Sequence, residues 1–110
     1  MDENTKLDIF VKISDMSRYL RESINHMPKE YRYDIGIDIK KLLREMKYKA
    51  LLLQTADCSH ELYLDTQRLK LLLDECIEDK VLLMKGKFNI IEPRKILITL
   101  TTLLTPPIEG

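Results

Sequence analysis

Apolar residues recur along this chain in steps of three and four. From about Lys6 to Met27, the residues Ile9, Phe10, Ile13, Met16, Ser17, Leu20, Ile24 and Met27 gather on one side of a wheel drawn at ~100° per residue. The spacing predicts an amphipathic helix over 6–27. A second stripe, Ile35, Ile39, Leu42, Leu43, Met46, Ala50 and Leu53, predicts a helix over 29–57. Pro28 sits at its start, where the missing N–H has no helical partner to lose. Gly36 lies inside this pattern and costs about 1 kcal/mol relative to Ala, which close approach of another backbone would justify.

The segment TADCSH interrupts the periodicity, with Ser59 as the expected N-cap of a third helix over 60–85. Its stripe is Leu62, Leu69, Leu72, Leu73, Cys76, Ile77 and Leu83, and Gly86 follows as a C-cap residue. A fourth helix is expected over 92–104, with Ile96, Leu97, Leu100, Leu103 and Leu104 on its apolar side. The run ILITLTT has the composition of a strand, but a lone strand would have no partner, so the helix is preferred. The tail 105–110, TPPIEG, cannot continue a helix and is expected to be loose. Three long helices and a shorter one, joined by short connections, predict a single all-α domain: an up-down-up-down antiparallel four-helix bundle.

A chain of 110 residues with 45% hydrophobic residues can build one core without metal or disulfide support. Its 18 basic and 18 acidic residues cancel, so affinity for a polyanion has to come from local clustering. The N-terminal MDENTKLD is acidic and polar where a secretory signal would be basic and then apolar, which predicts a cytoplasmic setting with Cys58 and Cys76 reduced. Uninterrupted apolar runs are a few residues long, against the ~20 needed to cross a bilayer, so no membrane partner is expected.

Cys58, His60 and Glu61 are the nearest approach to a reactive cluster. Neighbours in a helix connection point in different directions, and no second ligand pair at a helical step completes a zinc set. Neither His26 nor His60 closes a Glu-x-x-His step of the kind used by di-metal bundles, and no Gly-rich phosphate loop occurs. The chain is therefore expected to be no enzyme, with no catalytic residues, metal or cofactor.

The basic residues are more informative. On the wheel, Lys29, Tyr33, Lys40, Arg44 and Lys47 share a strip beside the second apolar stripe, and between Lys40 and Lys49 five cations face one acid, Glu45. Such a strip can hold phosphates by charge and a base by stacking; the alternative is an ordinary solvated face, partly neutralised by Asp34 and Asp38. The candidate nucleic-acid contacts are Lys29, Arg32, Lys40, Lys41, Arg44, Lys47 and Lys49. On the third helix Leu64, Leu71 and Leu82 lie nearly opposite the core stripe, with Glu78 at the intervening position, which points to burial in a homo-oligomer.

The stretch MPKEYRYDIGIDIKKL, in which Pro28, Lys29, Glu30, Tyr31, Arg32 and Tyr33 lead to Gly36 entering a helix, resembles a known helix junction. It is the junction of helices one and two in the four-helix bundle family of Avd, the accessory variability determinant of diversity-generating retroelements, and of proteins encoded in 23S ribosomal RNA intervening sequences. QRLKLLLDECIEDKVL resembles that family's third helix more loosely. The resemblance implies a non-catalytic, barrel-like homopentamer that binds RNA or DNA and a reverse transcriptase during mutagenic retrohoming. Pro28, Arg32 and Gly36 match the family as architectural residues. Two departures stand out: the chain is neutral where the family's nucleic-acid binders are basic, and it ends in TTLLTPPIEG without a Gly-Trp or basic ending. The alternative from another class is a structural or protein-interaction bundle without nucleic-acid binding.

Overall fold

The computed structural model describes residues 1–78 and 91–105. Those residues form helices and their connections, with no strand among them. There are four long helices, α1 (Glu3–Asn25), α3 (Ile35–Leu52), α4 (Ser59–Glu78) and α5 (Ile91–Leu104), and one short helix, α2 (Lys29–Arg32). Leu82, Leu83, Gly86 and the expected stretch 79–85 of the third helix lie outside the described residues, as do residues 106–110 of the tail.

At the starts of α1 and α4 an aspartate side chain satisfies a backbone N–H. Asp2 caps α1, its carboxylate accepting from the N–H of Thr5 at 2.7 Å, which carries the helix three residues upstream of the expected start at Lys6. Ser59 does not cap α4. It is the first helical residue, and Asp57 takes the capping role by accepting from the Ser59 hydroxyl at 2.7 Å and its N–H at 3.2 Å. Those two bonds, the hydroxyl's first, hold the Asp57 carboxyl below the ordinary carboxylate range. A carboxyl lowered by folding stabilises above its unfolded pKa, and that contribution is lost as pH falls through the lowered value.

The single helix expected over 29–57 is two helices, and it ends early. Pro28 has an extended ψ of 145°, and its carbonyl accepts from the N–H groups of Tyr31 and Arg32 to make the one turn of α2. Asp34 leaves the helical region, with φ −117° and ψ −98°, while its carbonyl accepts from Ile37 and Asp38 to start α3 afresh. The break lets α2 fold onto the start of α3, where Tyr31 packs on the core. At the other end Leu53 closes α3, and Thr55 and Ala56 turn back onto the Leu52 carbonyl, so 53–58 is a connection.

The core is the set of apolar stripes brought together. Ile9, Ile13, Met16, Leu20 and Ile24 of α1 meet Ile39, Leu42, Leu43, Met46 and Ala50 of α3, Leu62, Leu69, Leu73 and Cys76 of α4, and Leu97, Leu100 and Leu104 of α5. α1 packs against α3 and α5, and α4 packs against the same two, so the four long helices surround one core. Ile24 near the end of α1 lies against Gly36 at the start of α3, while Thr5 and Lys6 share a cleft with Leu53 and Gln54. Lys49 meets Asp65 and Glu45 meets Arg68 between α3 and α4; Asp74 meets Arg94 and Gln67 meets Thr101 between α4 and α5.

The strand-like ILITLTT is helical. Leu97, Leu100 and Leu104 bury at helical spacing, and the hydroxyls of Thr99, Thr101 and Thr102 each donate to the carbonyl four residues earlier.

Gly36 lies tightly against α1 and α2: a Cβ there would lie 2.9 Å from Ile24 Cγ2 and 3.3 Å from the Tyr31 carbonyl oxygen. Overpacking of this kind costs about 1–3 kcal/mol, more than the gain in helix propensity at the second residue of a helix. Gly36→Ala is therefore expected to destabilise the fold by about 1–2 kcal/mol in urea denaturation.

Candidate nucleic-acid interface

α3 turns Ile35, Gly36, Ile39, Leu42, Leu43, Met46 and Ala50 inward, which leaves Ile37, Lys40, Lys41, Arg44, Lys47, Tyr48 and Leu51 toward the outside. Lys40 is half-buried, and Lys41, Arg44 and Lys47 are exposed. None of these four makes an ion pair among the described residues.

The two edges of α3 have opposite characters. Asp38, Lys41 and Glu45 line the groove toward α4, together with Arg68, Leu71 and Glu75, so Lys41 stands among three carboxylates. Lys40, Arg44 and Lys47 fall on the other edge, toward α1, within about 60° on the wheel and over about 10 Å of helix. That edge carries no carboxylate from Ile35 to Leu52.

α1 adds to it. Lys12, Asp15 and Tyr19 line the groove toward α5, so the opposite flank of α1, with Phe10, Ser14, Ser17 and Arg21, faces α3. Arg21 lies about one turn before Ile24 on α1, and Lys40 about one turn after Gly36 on α3. The Arg21 Nε–H donates to the buried Ser17 hydroxyl at 3.1 Å, and the Ser14 oxygen is buried without a hydrogen-bond partner. Periodicity places Ser17 in the core stripe, and Arg21 follows one turn later on the same flank of α1.

The other candidates separate from this group. Lys29 lies on α2, so the wheel that joined it and Tyr33 to Lys40 is interrupted at Asp34. Arg32 lies over the Tyr33 ring, 5.8 Å from its centroid, with its Nε buried and unpartnered. Lys49 is taken up by the fold: its ammonium bonds the Asp65 carboxylate at 2.7 Å, with side-chain exposures of 28% and 5%. Arg68 reaches the other Asp65 oxygen at 3.4 Å, so the buried carboxylate has two cations.

Leu64 and Leu71 stand 47% and 69% exposed on α4, and Leu71 lines the α3–α4 groove, a cavity of about 510 Å³. Cys58 and Cys76 are buried. The Cys58 thiol donates to the Lys49 carbonyl, and burial, then the Glu61 charge, push its pKa up, so it remains a thiol at neutral pH. Among the described residues no cluster of His, Cys, Asp and Glu could hold a metal ion, and no helix is long and apolar enough to cross a membrane.

Lys49 and Lys47 give a test of this division. Lys49→Ala is expected to lower stability by about 2 kcal/mol, less than the ~3–5 kcal/mol of a fully buried broken pair because Arg68 remains on Asp65. Lys47→Ala is expected to leave stability within about 0.5 kcal/mol. Polyanion retention on a heparin column should change in the reverse order, with Lys47→Ala the weaker binder. Comparison with protein-family models, curated proteins and solved structures gives no match for the chain.

Proposed function

We propose that this protein is a non-catalytic accessory bundle that holds a nucleic-acid backbone on the α1-facing edge of α3, through Lys40, Arg44 and Lys47 with Arg21 beside them. The observation that carries the reading is the sorting of charge on α3. Its carboxylates Asp38 and Glu45 lie in the groove toward α4, and three cations are left together without ion pairs among the described residues. A chain with zero net charge thereby owns one locally basic edge.

The bundle that carries this edge has an up-down-up-down antiparallel course in this reading. Opposed pairs support it: Ile24 with Gly36, Lys49 with Asp65, and Asp74 with Arg94. The Pro28-to-Gly36 resemblance supports the more specific role, an Avd-like homo-oligomer that binds RNA or DNA and assists a reverse transcriptase. A second reading, a protein-interaction bundle without nucleic-acid binding, is favoured by the exposed Leu64 and Leu71.

The readings separate in one experiment, native mass determination of the protein with and without a mixed RNA pool at two salt concentrations. Nucleic-acid binding through three or four phosphates is expected to weaken about twenty- to fifty-fold between roughly 50 and 200 mM salt. The triple variant Lys40→Glu, Arg44→Glu, Lys47→Glu should abolish it while keeping the wild-type helical content. Absence of any RNA complex at low salt, with an oligomer that Leu71→Glu dissociates, would establish the second reading instead.

A further inference from the structure

Two exposed tyrosines stand on either side of the basic run in sequence, without serving the core. Tyr33, just before α3, is 63% exposed, and Tyr48, directly after Lys47 and one turn beyond Arg44, is 65% exposed. Between them the outer side of α3 presents Ile37, then Lys40 and Arg44, then Lys47. The Arg32 guanidinium supports one face of the Tyr33 ring, and the ring remains largely open to solvent. We propose that the ligand of this edge is a single-stranded nucleic acid, its phosphates on Lys40, Arg44 and Lys47 and its bases stacked on Tyr33 and Tyr48.

The shape of the edge selects the strand. The cations occupy one line about 10 Å long on a convex helix, which tracks one backbone rather than two. Duplex bases are already stacked on one another and offer no open face to a tyrosine; unpaired bases do. Exposed aromatic rings together with a line of cations supply both electrostatic tracking and sequence-tolerant stacking. Tyr48 adds a further economy, because its position on the same helix as the cations fixes it relative to them without any loop to order.

This inference rests on the nucleic-acid reading above, and the test distinguishes their failures. A short fluorescently labelled RNA of mixed sequence is titrated with the full chain at about 50 mM salt, alone and annealed to its complement. The single strand is expected to bind about tenfold or more tightly than the duplex. Tyr33→Ala and Tyr48→Ala should each weaken the single-strand complex about five- to tenfold, leave the salt slope unchanged, and be rescued by Phe at the same position. Equal affinity for the duplex, or salt-sensitive binding indifferent to both alanine variants, overturns the single-strand assignment and leaves the nucleic-acid reading standing. No binding of either RNA overturns both.

Discussion

The contact of α1 with α3 at Gly36 constrains how these two helices pack. With hydrogen in place of a Cβ, Ile24 can lie against the α3 backbone and the Tyr31 carbonyl can sit over its first turn. That contact sets the register between the two helices. On α1, Asp15 lines the groove toward α5, while Arg21 bonds Ser17 on the other flank of the helix. Asp8 and Asp15 pair along their own helix with Lys12 and Arg18.

Charge in this chain is balanced in total and sorted in space. α4 supplies Arg68 to Glu45 and to the buried Asp65, and the α3–α4 groove collects Asp38 and Glu75 around Lys41. The α1–α3 edge receives the surplus of cations. A solvated helix face would mix signs at i and i+4 to gain a few tenths of a kcal/mol per pair. Lys40, Arg44 and Lys47 forgo that gain, as each has another cation or an apolar residue at those steps: Lys40 has Gly36 and Arg44, Arg44 has Lys40 and Tyr48, Lys47 has Leu43 and Leu51. In the proposed reading the arrangement serves an external anion better than it serves the helix.

Asp65 shows how the interior limits the surface. A carboxylate this deeply buried is costly unless charged partners satisfy it, and Lys49 and Arg68 do so from two sides. Lys49 is thereby removed from the ligand-facing set, although it sits two residues after Lys47 in the same basic run. The Lys49 carbonyl also receives the Cys58 thiol, so one residue links the end of α3 to the start of α4 through both its side chain and its backbone.

The all-helical nature and most of the core were legible in the sequence, because apolar residues every three or four positions leave one stable way to be buried. Ile9, Ile13, Met16, Leu20, Ile39, Leu43, Met46, Leu69 and Leu97 are at most 4% exposed, and even the β-branched ILITLTT follows the leucine spacing into a helix. Periodicity is a property of a single segment, however, and it is silent on how segments meet. The break at Asp34 lets α2 fold onto α3, the capture of Lys49 comes from the nearness of Asp65 sixteen residues away, and the contact of Ile24 with α3 from the space left at Gly36. A wheel of the basic run could place its cations on a strip; only the packed helices decided which of them are spent on the fold and which remain open to a ligand, because that depends on the charges the neighbouring helices bring alongside.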